Sequence, residues 1–201
     1  NAGLVTIKYK GADVFHDGGS GIPASHGYML NTKYLIAGAD SNAVFENPEA
    51  NGPAWVPSQI VSVGTNQEEI DKLGTINTKA QATINSKEFG AQRAGAGTIV
   101  LTKNSPNQLT YQAKMTAAGL GVFSEIYYKN GWNATIDGVA VDHLNVNYVL
   151  RGLEIPKGTH QIVFEFSPSV VKTGSSIALI SSVVLLFLIL GQVVLIYKIR
   201  S

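Results

Sequence analysis

The sequence predicts a mainly β protein: an antiparallel, jelly-roll-like β-sandwich with a small irregular α/β lead-in and one C-terminal transmembrane helix. From about residue 80, short β-branched and aromatic runs alternate with turn residues, the pattern of a sandwich. The signals before them are few and irregular, and a long uncharged run near the C-terminus predicts the membrane helix. The predicted parts are the lead-in 1–78, the sandwich 79–170, the transmembrane helix 175–198 and a cytoplasmic tail 199–201.

Regular elements in the lead-in are short. The runs KYLIAG and AWVPSQIVSV predict strands. The segment TNQEEIDKLG predicts a helix with Thr65 or Asn66 as its N-cap, acidic residues in its first turn and Gly74 as its terminator. The glycine-rich stretch 16–27 predicts a loop, since its glycines lack the strand-before-helix spacing of a phosphate-binding loop.

Turn residues separate the strands of the predicted sandwich. The Asp137-Gly138 pair is a strong hairpin signal, because both residue types tolerate positive φ. In the last strand, His160 and Phe164 share one face while Glu165 lies on the other, which predicts a half-buried strand. The remaining turns are predicted at 105–107, 129–131 and 156–158.

The stretch SEIYYKNGWNATIDG, residues 124–138, carries most of the candidate binding residues. Strand alternation places Tyr127 and Tyr128 on opposite faces, and Trp132 on an apolar face. Trp132 then either fills the core, forms with a tyrosine a flat platform for a sugar ring, or belongs to a docking surface against a membrane-embedded bundle. If Trp132 forms a platform, nearby polar groups would bind the hydroxyls of the sugar or a phosphate. The candidate glycan-binding residues are Glu125, Tyr127, Tyr128, Trp132, Asp137 and Arg151.

Charge and composition exclude several classes of protein. The 15 basic and 14 acidic residues are spread along the chain without a basic stripe that would neutralise phosphates, so we expect no nucleic-acid partner. The absence of cysteine excludes disulfides, thiolate zinc sites and cysteine nucleophiles. No serine lies in a G-x-S-x-G nucleophile elbow.

Histidines and carboxylates show no catalytic or metal-binding spacing. We therefore assign no catalytic residue, no metal and no cofactor to this chain. His160 shares a face with Phe164, which predicts a partly buried side chain rather than a ligand. The other histidines are His16, His26 and His143, and the carboxylates considered for glycoside hydrolysis are Glu125, Asp137, Asp142 and Glu154.

The run IALISSVVLLFLILGQVVLIY, residues 177–197, predicts a transmembrane helix, since 21 residues at 1.5 Å each span about 31 Å. Lys198 and Arg200 follow it and only Lys172 precedes it closely, which predicts a cytoplasmic C-terminus and an extracytoplasmic main domain. Gly191 and Gln192 are the candidate helix-packing positions, because an amide in lipid seeks a partner; a tolerated interfacial glutamine is the alternative.

Six motifs occur in a characteristic order: MLNTKYLI, NPEANGPAWV, SPNQLTY, GVFSEIYYKNGW, the Asp137-Gly138 pair and VNYVLRGLEIPKGTHQIVFEFSP. With the final helix, they resemble the C-terminal region of YfhO-like bacterial membrane proteins, in the form found in Bacteroidetes. The resemblance covers nearly the whole chain after Gly27. The chain starts at Asn1 without a methionine or a signal segment, so we expect it to be the tail of a longer precursor.

The resemblance implies a polytopic protein of the bacterial inner membrane, similar to GT-C glycosyltransferases that take a sugar from a polyprenyl-phosphate carrier. Such enzymes hold their catalytic carboxylate in an early outer loop of a helical bundle, so the resemblance places no active site in this chain. The implied role is an accessory domain and membrane anchor that caps the bundle or positions the glycan. The implied partners are the lipid bilayer, the remainder of its own protein, and a polyprenyl-linked sugar or envelope glycan. The alternative is a non-enzymatic, membrane-anchored sandwich that binds glycan or another envelope protein.

Overall fold

The computed structural model describes residues 6–9, 12–16, 24–36 and 44–200, and this part of the chain is mainly β with antiparallel pairing, as predicted. Its lead-in elements are β1 (Thr6–Tyr9), β2 (Ala12–His16), α1 (Ala24–Met29), β3 (Tyr34–Ile36), β4 (Val44–Glu46), β5 (Ala54–Trp55), β6 (Gln59–Val63), α2 (Asn66–Leu73), β7 (Gln81–Asn85) and α3 (Ser86–Phe89).

Two antiparallel sheets form the predicted sandwich. Its further elements are β8 (Ala96–Ser105), β9 (Gln108–Ala117), β10 (Gly119–Ile126), β11 (Trp132–Ile136), β12 (Val139–Val141), β13 (Leu144–Val146), β14 (Leu150–Ile155) and β15 (Gly158–Phe166). The five-stranded sheet has the order β12-β11-β15-β9-β8, and the four-stranded sheet has the order β13-β14-β10-β5. Strand β9 pairs with β15 and β10 with β14, so the chain crosses between sheets in a jelly-roll-like manner.

Aromatic rings fill the core between the two sheets. Phe123 of β10 lies 4.9 Å from Tyr111 of β9 and 4.9 Å from Phe164 of β15, ring centroid to centroid, in edge-to-face geometry. All three side chains are fully buried. Such pairs add about 0.5–1.5 kcal/mol each to the free energy gained by burial. The three rings therefore hold the two sheets together.

A second core covers the other face of the four-stranded sheet. Leu120 and Val122 alternate with Phe123 along β10 and pack against Leu73 and Ile84 of the lead-in. Strands β6 and β7 pair in parallel, and α2 connects them. The four-stranded sheet is thus the middle layer of three, between the five-stranded sheet and the α2, β6 and β7 layer.

A buried polar junction joins the lead-in to the sandwich. The Thr83 hydroxyl lies 3.1 Å from the Glu69 carboxylate, and the Thr83 amide donates to the Asn147 side-chain oxygen at 2.8 Å. Burial raises the pKa of Glu69, while hydrogen bonds from the Tyr148 backbone and Thr83 oppose the shift. Asn147 and Tyr148 both adopt positive φ, which turns the β13–β14 connection toward this junction.

The capped helix of the lead-in forms as predicted, but the glycine-rich loop is only partly a loop. The Thr65 hydroxyl caps α2 by accepting from the Glu68 amide at 3.2 Å, and Gly74 ends the helix. Within the predicted loop, residues 24–27 instead belong to α1, so that part of the prediction is wrong. One helical turn formed despite Gly27 because Met29 is buried at its end. Residues 17–23 lie outside the described residues.

The predicted turns lie between strands, but two of them join different sheets. Asp137 (φ 51°) and Gly138 (φ 81°) form a hairpin turn with positive φ at both central residues, as predicted. The turn 105–107 closes the β8–β9 hairpin. By contrast, 129–131 and 156–158 carry the chain from the four-stranded to the five-stranded sheet.

Two strands lie across the predicted boundary between lead-in and sandwich. Strand β5, before residue 78, pairs with β10 inside the four-stranded sheet. Strand β7, after residue 79, pairs with β6 of the lead-in. The division of the chain into 1–78 and 79–170 stays a prediction.

Helix α4 (Ser169–Arg200) contains the predicted membrane segment. Within it, Thr173–Gln192 has a mean hydropathy of 2.3 and is not buried by the rest of the described chain. By length and composition, this helix is able to cross a membrane. Gly191 and Gln192 lie at the end of this span, and their role in helix packing stays a prediction, as does the orientation.

We expect Gly119→Ala to destabilise the fold, because an added Cβ would collide with the backbone of Ala94 and Gly95. Backbone atoms cannot rotate away, so the cost should lie near the upper end of overpacking, about 2–3 kcal/mol in the free energy of unfolding. The matched control is Gly27→Ala, where the Cβ meets only the Thr32 hydroxyl at 3.9 Å. Chemical denaturation of both variants in detergent micelles measures this, and equal stabilities would contradict it.

The His160–Asp137 pair predicts a pH-dependent stability. The Asp137 carboxylate, 2.7 Å from His160 Nδ1, raises the pKa of His160, and the same hydrogen bond lowers the pKa of Asp137. The pair therefore stabilises the fold fully between about pH 4 and pH 6.5, and less as pH rises through the raised histidine pKa. Asp137→Asn keeps a residue that tolerates this turn. It should lower the thermal unfolding midpoint at pH 5.5 more than at pH 9. A pH-independent effect, or the same profile in the control Glu165→Gln, would contradict this.

Candidate functional site

A cleft of about 650 Å³ lies beside the β11–β12 edge of the five-stranded sheet. Four parts of the chain form its walls: the end of α3, the segment after β10, the start of β11, and β12 with its connection to β13. The groups that line it and matter for chemistry are Glu88, Phe89, Tyr127, Lys129, Trp132, Asn133, Asp142 and His143.

Aromatic rings pack around Tyr127 and orient it in the cleft. The Tyr127 ring lies 6.0 Å from Phe89 at an interplanar angle of 80°, and 5.1 Å from His143 at 59°. Burial raises the pKa of Tyr127, and the nearby carboxylates of Glu88 and Asp142 raise it further. Tyr127 thus stays a neutral phenol, able to donate a hydrogen bond beside two acceptors.

His143 contributes a half-buried imidazole to the cleft wall. Burial lowers its pKa first, and the nearby positive charge of Arg151 lowers it further, against a hydrogen bond with the Tyr128 backbone. Its Nε2 atom is buried without a hydrogen-bond partner among the described residues. His143 therefore contributes a neutral imidazole ring to the cleft wall.

A buried arginine supports the cleft from the core side. Arg151 is only 2% exposed, and its Nε donates to the Ile126 carbonyl at 2.9 Å. Its guanidinium carbon lies 4.1 Å from the centre of the Trp132 ring and 5.2 Å from that of Phe164. Burial lowers the pKa of Arg151, while the negative charge of Glu125 opposes the shift.

Trp132 belongs to both the core and the cleft. Arg151 stacks on its ring, Phe166 packs 5.3 Å away, and the remaining surface lines the cleft. The side chains that follow on the same face, Ala134 and Ile136, are buried as predicted. Trp132 can therefore fill the core and still present part of its ring to the cleft, so these two interpretations are compatible.

The structure brings together four of the six predicted site residues. Tyr127 and Trp132 line the cleft, Arg151 lies behind Trp132, and half-buried Glu125 lies near Arg151, whose charge opposes the burial that raises the pKa of Glu125. Tyr128 is 52% exposed and not part of the cleft wall. Asp137 lies five residues beyond Trp132, about 16 Å along β11, and binds His160 instead.

Sequence reasoning missed Glu88, Phe89, Lys129, Asn133 and His143 as cleft residues. Glu88 and Phe89 come from the lead-in, so no local pattern connects them with Tyr127. His143 had been considered only as a metal ligand; the described residues contain no cluster of three histidines or carboxylates that would hold a metal ion. His160 is partly buried, as predicted, and the side chains of His16 and His26 lie outside the described residues.

We expect Trp132→Ala to destabilise the chain by about 3 kcal/mol, because large aromatic truncations leave cavities and Arg151 would lose its stacking partner. Chemical denaturation followed by circular dichroism measures the free energy of unfolding. The control is Tyr128→Ala, an exposed position where the change should stay within about 0.5 kcal/mol. Similar stabilities of the two variants would show that the Arg151–Trp132 contact contributes little.

Comparison with known protein families gives a match that includes the cleft residues. A family model described as bacterial membrane protein YfhO matches residues 63–178, more than half of the chain. The matched segment contains every cleft residue named above and the first part of α4. Neither a curated protein nor a solved structure matches the chain. The family match confirms the resemblance of the sequence motifs, and the chain belongs to the YfhO family of bacterial membrane proteins.

Proposed function

We propose that this chain is an extracytoplasmic accessory domain and membrane anchor of a polyprenyl-phosphate-sugar-dependent glycosyltransferase, and that its cleft binds a glycan. The family membership supports a membrane context. The glycosyltransferase activity itself comes from the resemblance of the sequence motifs. In this proposal the catalytic carboxylate belongs to another part of the parent protein, in the bacterial inner membrane.

The cleft itself is the observation that carries the glycan proposal. Tyr127 and Trp132 present apolar ring surface, while Glu88, Asn133 and Asp142 present hydrogen-bonding groups in the same cavity. Sugar rings have apolar faces and a rim of hydroxyl groups, so they need both kinds of contact at once. The volume of about 650 Å³ lies within the usual range of ligand pockets, about 300–1,000 Å³.

The contribution of such a cleft to glycan transfer is positioning. Holding an acceptor or a carrier-linked sugar next to the catalytic bundle turns a bimolecular encounter into an effectively unimolecular step. Lys129 also lines the cleft and offers hydrogen-bond donors for hydroxyls or for a phosphate. None of these groups is assigned a catalytic role.

A non-enzymatic module that binds glycan or another envelope protein is the second candidate. The same cleft would serve glycan binding in either case. The two candidates differ in whether damage to the cleft lowers sugar transfer by the parent protein or affects binding alone.

We expect Tyr127→Ala to weaken glycan binding about tenfold, since the loss of one aromatic contact of about 1.4 kcal/mol corresponds to that factor. The measurement is calorimetric titration of the full chain in lipid nanodiscs with soluble oligosaccharides released from bacterial envelope polysaccharide. Tyr127→Phe separates the hydroxyl from the ring.

The neighbouring Tyr128→Ala is the matched control for that titration, because Tyr128 does not line the cleft. Both variants should keep the circular dichroism spectrum of the unmodified chain. Unchanged affinity in a folded Tyr127→Ala variant, or an equal loss in Tyr128→Ala, would remove the cleft as the glycan site.

A further inference from the structure

The end of the sandwich that bears the cleft is also the end from which α4 leaves. The Ser167 amide donates to the Gly131 carbonyl at 2.8 Å, and the Phe166 amide donates to the Asn107 carbonyl at 2.9 Å. These bonds fasten the last residues before α4 to the turns at 105–107 and 129–131. The start of the membrane helix is therefore fixed against this end of the two sheets.

Chain length places this end close to the bilayer. Ser167 precedes Thr173, where the apolar span of α4 begins, by six residues. Six residues span about 9 Å as a helix and at most about 21 Å when extended. The headgroup region beside the hydrocarbon core is about 5–8 Å thick. Because α4 is helical from Ser169, Ser167 lies about 9 Å from the hydrocarbon core when α4 is upright, and closer when α4 tilts. The turn at 129–131, which is hydrogen-bonded to Ser167, therefore lies at the outer edge of the headgroup layer.

Large apolar side chains are exposed at this end. Ile126 is 58% exposed, Tyr128 is 52% exposed and Tyr148 is 39% exposed. The segments that carry them are adjacent, because Ile126 pairs with Leu150 and the Tyr127 amide donates to the Val149 carbonyl at 2.7 Å. Tyrosine is enriched at membrane interfaces, where its ring meets the acyl boundary and its hydroxyl stays in the hydrated layer.

We propose that Ile126, Tyr128 and Tyr148 form a footing that contacts the lipid headgroup layer next to the start of α4. The partner is the bilayer surface itself, because the chain and its hydrogen bonds connect this footing directly to the membrane span. The lipid contact does not depend on the proposed function.

The footing has a consequence for the cleft, and this consequence does rest on the proposed function. Tyr127 and Lys129, which line the cleft, alternate in sequence with the footing residues. The cleft therefore lies at the membrane-proximal end of the sandwich, where a glycan at the membrane surface can reach it.

The chain contains no cysteine, so single cysteines can carry an environment-sensitive fluorophore. The test compares Tyr128→Cys and Tyr148→Cys with the control Val139→Cys, which is 67% exposed in the β11–β12 hairpin. Each labelled full chain is placed in nanodiscs with and without a phosphatidylcholine that carries a nitroxide on its headgroup. We expect loss of fluorescence at positions 128 and 148 in the nitroxide discs, and none at position 139.

A water-soluble quencher, iodide, distinguishes the outcomes that overturn the proposal. Labels at 128 and 148 that iodide quenches and nitroxide lipid does not would show that this surface lies in water. Labels that neither agent quenches would show that protein covers it. Ile126→Cys provides a third position if either tyrosine variant fails to fold. Glycan titration of the same discs is read separately, so the footing and the glycan cleft can fail independently.

Discussion

Burial of the four-stranded sheet on both faces is the constraint on which the rest of the structure depends. Along β10, Val122 enters the core shared with the lead-in, while Phe123 enters the core shared with the five-stranded sheet. A one-residue slip of this strand would exchange the two sets of side chains and empty both cores. The layer of α2, β6 and β7 is therefore required by the fold, and the Glu69–Thr83–Asn147 junction holds it in place. Helix α3, which directly follows β7, reaches the cleft from this layer.

A buried cation, Arg151, supports the cleft wall from behind. Arg151 is held by the Ile126 carbonyl and by the faces of Trp132 and Phe164, and Glu125 partly compensates its charge. A desolvated guanidinium is costly unless such contacts surround it, so its partners have little freedom to move. Trp132 is positioned by this contact before any ligand arrives, which is the preorganisation that binding sites require.

The attachment of α4 determines which end of the sandwich lies nearest the membrane. Because Phe166 and Ser167 are hydrogen-bonded to two turns, the cleft end faces the start of α4, whereas the Asp137-Gly138 hairpin lies further along the sheet. The apolar span and the exposed tyrosines thus lie at one end of the sandwich.

Local chemistry in the sequence determined what depends on near neighbours: the β-rich class, the α2 cap at Thr65, the Asp137-Gly138 turn, the alternation of His160 and Phe164 with Glu165, and the uncharged membrane run. These features could be predicted because turn preference, strand period and hydropathy act over a few residues. Only the tertiary structure decided that β7 leaves the sandwich, that Glu88 and His143 join Tyr127, that Asp137 leaves the predicted site for His160, and that Arg151 lies under Trp132. Those outcomes depend on contacts between residues far apart in sequence, which no local pattern encodes.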